Sequence, residues 1–164
     1  MKRRPAKAAT SRKTASAKSP LHPHLIVKDA GKAIDYYVRV FDAREIVRFA
    51  DPNLGGMIVH AELAIGGARF TLAEEHREWN NLSPRALNGS PVVLTLTVDD
   101  ADAVAARMRE AGAQVVFPIN DQFYGKREGR LVDPFGHVWI LSQPLEELSP
   151  QEIQKRVDGF LRKQ

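Results

Sequence analysis

The chain contains no cysteine. Disulfides, zinc–thiolate centres and cysteine nucleophiles are therefore excluded. No apolar run approaches the roughly 20 residues that span a bilayer, and the first residues have no apolar leader of the secretory kind. The expected location is the cytoplasm, with a transit peptide as the alternative that an Arg- and Ser-bearing, acid-free first stretch fits. There is no phosphate-cradling glycine loop, no nucleophile elbow and no dinucleotide fingerprint. A sequence-specific nucleic-acid module is missing too. Acids are absent from residues 1–19, which carry Lys2, Arg3, Arg4, Lys7, Arg12, Lys13 and Lys18. Since the whole chain has a net charge of +4, the remainder stands at −3. The basic character belongs to this first stretch and not to the body.

Residues 1–19 are rich in Ala, Ser, Thr and Lys and offer little to bury, so a disordered tail is expected there. A polycationic arm can hold nucleic acid nonspecifically. The body has the length and the hydrophobic content (43% of the chain) of one compact domain or two small modules sharing a core.

The body reads as two similar halves. "HLIVKD" is a strand, and "AGKAIDYYVRVF" places Ala33, Ile34, Tyr37, Val38 and Phe41 at helical spacing. "REIVRFA" is a second strand. "GGMIVHAELAIGG" and "ARFTLAEE" form a hairpin closed by Gly66-Gly67. A polar linker follows. "PVVLTLTV", "DDADAVAARMREAG", "AQVVFP", the loop "NDQFYGKREG", "RLVD" and "HVWILSQ" then repeat the order βαβββ. "LSPQEIQKRVDGFLRKQ" is a separate helix, with Ser149 and Glu152 as a capping box and Pro150 in the first helical position. The expected segments are a tail (1–19), a first module (20–75), a linker (76–90), a second module (91–144) and a C-terminal helix (145–164). The fold class is α+β: two paired βαβββ modules whose sheets form a curved cup.

"VKDAGKAIDYYVRVFDA" in the first half and "FYGKREGRLVDPFGHVWIL" in the second resemble the vicinal oxygen chelate superfamily, of glyoxalase and bleomycin-resistance type, and its PhnB-like branch in particular. The resemblance covers about residues 21–144. It implies a homodimer built by packing or exchanging modules. It also implies a concave face on which the metal enzymes of the superfamily place ligands from the first and last strand of each module. Carried onto this sequence, those positions are His22, a place near Thr71, Val93 and Ile140. Valine and isoleucine cannot bind a divalent ion, so the resemblance leaves one ligand, His22. No cofactor is expected on that count. Should a divalent metal be present, His22 and Glu62 are the ligands to expect.

With His22 pointing into the cup, strand alternation assigns the rest. His24 follows His22; Ile58, His60, Glu62 and Ala64 come from the hairpin, with Arg69 and Thr71 opposite. Val93, Thr95 and Thr97, then Val138, Ile140 and Ser142, line the second half. The loop "QFYGKREG" adds Tyr124 and Arg127, an aromatic and a cation suited to an anionic or planar ligand. The expected ligand-binding set is His22, His24, His60, Glu62, Arg69, Thr71, Thr95, Tyr124 and Arg127. His60 and Glu62 are the candidate acid–base dyad, with Glu62 orienting His60. His137, in "DPFGH", is expected to make turn and edge hydrogen bonds.

Three functions stay open. The leading one is small-molecule binding in the cup without the usual metal site. The second is a metal-dependent lyase, isomerase or dioxygenase using His22 with other ligands. The third is docking on nucleic acid through the basic tail, with no membrane partner in any of the three.

Overall fold

The computed structural model describes residues 21–162. The tail over 1–19, and with it the docking reading, lies outside the described residues. In chain order the elements are β1 (His24–Val27), α1 (Ala30–Phe41), β2 (Arg44–Asp51), β3 (Met57–Ile65), β4 (Ala68–Glu74), β5 (Val93–Thr97), α2 (Ala101–Glu110), β6 (Gln114–Gln122), β7 (Lys126–Val132), β8 (Val138–Pro144) and α3 (Pro150–Leu161). Two four-stranded mixed sheets result, ordered β1-β4-β3-β2 and β5-β8-β7-β6. In each sheet the first strand runs parallel to the last, and the other pairs are antiparallel. The two βαβββ modules are therefore topological copies.

The same device starts the helix of each copy. Glu74, at the end of β4, accepts the backbone N–H groups of Asp29 (2.5 Å) and Ala30 (2.6 Å) at the first turn of α1. Gln143, one residue before the end of β8, accepts Ala101 N–H (3.0 Å) at the first turn of α2. These groups have no partner within their own helix, and the side chain of the parallel neighbour strand supplies one.

One apolar core joins the modules. Val27, Ile34, Tyr37, Leu63 and Leu72 from the first meet Met108, Leu131, Trp139 and Leu141 from the second. The buried stripe of α1 contains Ala33, Ile34, Tyr37 and Phe41 as the periodicity predicts, but Val38 is exposed and Tyr36 and Val40 are buried instead. The stripe is skewed toward Tyr36 because that ring packs edge-on against Phe135 of the second module, 5.7 Å between centroids. Intermodule packing, invisible to a periodicity count, selects the side.

Asp133 fastens the two halves. Its carboxylate is 2% exposed. It accepts the backbone N–H groups of Phe135 and His137 (both 2.9 Å), the indole N–H of Trp139 (2.9 Å) and the hydroxyl of Tyr37 in α1 (2.7 Å). His137 adds a second tie, its Nε2 lying 3.1 Å from the carbonyl oxygen of Ile26 in β1. The turn and edge role expected for His137 is what the geometry shows. Burial of the Tyr37 phenol, with the Asp133 charge beside it, holds its pKa well above the usual value.

Two strands depart from simple alternation. In β3 the register with β2 shifts between Phe49 and Ala50. The extra residue there turns Ile58 into the core, against α1, instead of the cup. In the second sheet, "NDQFYGKREG" is not a loop: β6 runs to Gln122 and β7 starts at Lys126, with a turn only at 123–125. β6 is an edge strand with two register shifts, which accommodates Pro118 within it. Gly129 permits this path. A Cβ there would lie 2.8 Å from the backbone nitrogen of Ile119 and 2.9 Å from the carbonyl oxygen of Phe117.

The capping box of α3 is formed as predicted, by Ser149 and Glu152. No residue of α3 is buried. Phe160 stacks on Phe123 at 5.0 Å, and Arg156 donates to Phe123 O and pairs with Glu146. The helix thus rests on the β6–β7 turn. Among the described residues no helix is long and apolar enough to cross a membrane.

Candidate functional site: the outward sheet faces

Because the core lies between the modules, each sheet turns its second face away from it. On the first sheet that face carries His24, Thr71 and Glu62 in one row across β1, β4 and β3. His24 Nδ1 is 2.7 Å from Thr71 Oγ1. Glu62 pairs with Arg69. No hydrogen bond joins Glu62 to His60; the dyad geometry in which Glu62 orients His60 is not formed. His60 lies instead between two rings, with His24 at 6.5 Å and Phe49 at 6.0 Å, both nearly parallel to it. Burial lowers the pKa of His24, and the neighbouring His60 and His22 lower it further. His22 precedes β1 and is exposed.

The second sheet brings together residues that the sequence pattern did not single out. Glu128 stands opposite Ser142 and Arg130 opposite Ile140, which itself faces Thr95. Glu128 is well supplied with donors: Ser142 Oγ at 2.5 Å, Tyr124 Oη at 2.8 Å and Lys126 Nζ at 3.6 Å. Burial, followed by the Glu128 hydrogen bond and charge, pushes the Tyr124 phenol up to about 12. Arg130 differs. Its guanidinium carbon sits 5.3 Å over the ring centroid of Phe117. Its Nε is buried with no hydrogen-bond partner, and no ion pair involves it among the described residues. Phe117, Pro118, Tyr124, Glu128, Arg130 and Ile140 are among the residues lining an open cavity of about 340 Å³.

Of the expected set, His24, His60, Glu62, Arg69 and Thr71 share the first sheet's outward face, and Tyr124 lines the second sheet's cavity. Thr95 lies exposed on β5, with Val93 and Thr97 exposed beside it. Arg127 has its donors spent elsewhere: Nε and Nη2 reach Asp102 of α2 at 2.6 and 3.2 Å, and Nη1 reaches Asp121 at 2.6 Å. Phe117 and Arg130 lay in the segments "AQVVFP" and "RLVD" read as strands, but their shared face with Glu128 was legible only to a reading of "KREGR" as one strand. Alternation would then have put Glu128 and Arg130 on one face.

The positions at which the superfamily's metal enzymes carry ligands do not converge here into a donor set. His22 stands exposed before β1, Thr71 is hydrogen-bonded to His24, and the second-module positions are Val93 and Ile140. Among the described residues no group of three or more His, Asp or Glu side chains is placed to hold a metal ion. The residues present do not fit such a centre.

Residues 19–141 match the Glyoxalase/Bleomycin resistance protein/Dioxygenase superfamily. The chain is 44% identical over 137 residues to the uncharacterized protein Rv0887c of Mycobacterium tuberculosis, covering 82% of this chain and 79% of that one. Among solved structures, TioX from Micromonospora sp. ML1 is 27% identical with a TM-score of 0.58, over 80% of this chain and 100% of TioX. A PhnB protein from Bacillus cereus shares the fold at 19% identity and a TM-score of 0.60, over 76% of this chain and 99% of that one.

Proposed function

For a chain that belongs to the glyoxalase/bleomycin resistance protein/dioxygenase superfamily, we propose binding of a small organic molecule on the outward sheet faces, without the usual metal site. The observation that carries this reading is the cavity on the second sheet. It has the volume of a small ligand pocket and a mixed lining, with apolar Phe117, Pro118 and Ile140 beside polar Asn120, Gln122, Tyr124, Glu128 and Arg130.

The binding unit is a homodimer. Phe49 of β2 and Phe117 of β6 stand more than half exposed on the outward faces, and Val93 is exposed on β5. The dimer rests on the resemblance to the superfamily, and these side chains are the apolar groups that a second copy would cover. A second copy would bring its second-module face against the first-module face, joining His24 and Glu62 to the Arg130 cavity in one cup.

Two measurements test this. Elemental mass spectrometry on untagged protein should find no stoichiometric divalent ion. About one ion per chain, lost in His22→Ala, would overturn the metal-free reading in favour of a lyase, isomerase or dioxygenase with a rebuilt centre. Sedimentation should give a dimer, and a monomer at all concentrations would remove the shared cup.

A further inference from the structure

We propose that the cavity on the second sheet selects a small aromatic carboxylate, held through Arg130. This rests on the small-molecule reading and names the ligand class for it. The inference starts from charge. Two ionised groups face the cavity two residues apart on β7, and they are unequally satisfied. Glu128 has donors from Ser142, Tyr124 and Lys126. Arg130 has no ion pair among the described residues, and its buried Nε has no acceptor. A guanidinium partly withdrawn from water is costly without a counter-charge. The unmet demand is therefore for an anion.

Shape narrows the class. The guanidinium lies over the Phe117 ring, 5.3 Å from its centroid, within the range of a cation–π contact. That contact occupies one face of the planar cation, and among the described residues no hydrogen bond occupies its terminal nitrogens Nη1 and Nη2. A guanidinium edge pairs with a carboxylate through two parallel hydrogen bonds. The walls beside it are Phe117, Pro118 and Ile140, which are apolar, while Asn120 and Gln122 sit among the lining residues as neutral amides. A flat hydrocarbon body attached to the carboxylate would cover those walls. Inorganic phosphate would satisfy the charge and leave them wet. Glu128 faces the same space and disfavours a second negative charge, so a monoanion is preferred.

The sequence places these parts by strand alternation. Glu128 and Arg130 share a face, and Gly129 between them lets β6 approach with Phe117. Arg127, three residues before Arg130, points its donors to Asp102 and Asp121 and is not available to the cavity.

The test uses the full chain and three probes: benzoate, benzamide and inorganic phosphate. Binding is followed by calorimetry and by amide chemical shifts of Gly129 and Ile140. Benzoate should bind and shift those amides. Benzamide and phosphate should each bind at least tenfold more weakly. Arg130→Gln should weaken benzoate at least tenfold, with circular dichroism and melting temperature retained; Phe117→Leu should weaken it by a smaller factor. Equal binding of benzamide and benzoate, unchanged affinity in Arg130→Gln, or no benzoate binding at millimolar concentration would each overturn the proposal. If neutral planar fragments shift these amides while benzoate does not, the ligand class is wrong and the binding-protein reading stands. If no fragment of a broad library shifts any outward-face amide, both fail.

Discussion

Removing the Tyr37 hydroxyl should loosen the joint between the two modules. Tyr37→Phe keeps the ring, which packs against Phe70, Phe135 and Trp139, and deletes one hydrogen bond to a buried carboxylate. Hydrogen bonds to charged groups are worth about 1.5–3 kcal/mol. Asp133 retains three other donors, so the expected loss is near the middle, about 2 kcal/mol. Asp133→Asn is the complementary change. Its amide oxygen can still accept the backbone N–H groups of Phe135 and His137, and its NH₂ can donate to the Tyr37 oxygen once that hydroxyl turns. The Trp139 indole N–H is then left facing a donor, at a cost of about 1–3 kcal/mol. Urea unfolding at fixed protein concentration measures each variant, and the double mutant gives the coupling, which should be at least about 0.5 kcal/mol for groups in contact. The phenol also predicts a pH effect. Its folded pKa is raised, so its contribution is complete below the unfolded value near 10 and is lost as pH rises through the folded one. The alkaline limb should flatten in Tyr37→Phe. A loss below about 0.5 kcal/mol in Tyr37→Phe, with additive double-mutant energies, would refute the role given to this bond.

Other outcomes follow from the same geometry. His24 and His137 both have lowered pKa values, chiefly through burial; their stabilising contribution is present above about pH 6.5 and lost as pH falls through the folded values. Urea midpoints should therefore drop as pH falls below about 6.5, less so in His24→Gln. Gly129→Ala should destabilise by about 1–3 kcal/mol, because the clash involves backbone atoms that cannot move aside; it should also perturb the amide shifts of Phe117 and Arg130. Glu74→Ala strands two N–H groups of α1 and should cost about 1–2 kcal/mol by thermal unfolding, the size of a lost helix cap.

The two-module order, four of the five α1 stripe positions, the α3 cap and the outward direction of His24, Thr71, Glu62 and Arg69 were legible in the sequence. Each depends on period and on local capping chemistry, which neighbours in the chain dictate. The turn "DPFG" announced Asp133 as a turn residue, but not as the acceptor of Tyr37, 96 residues away. What only the tertiary structure decided lies where two elements meet. Packing against Phe135 turned α1 toward Tyr36, and a bulge moved Ile58 from the cup to the core. A punctuated segment that looked like a loop became the edge hairpin holding Phe117, Glu128 and Arg130, and Arg127 was drawn to the acids of α2 and β6. Spacing along a chain sets which face a residue can take. Which charge finds a partner, and which is left for a ligand, depends on what the rest of the fold places opposite it.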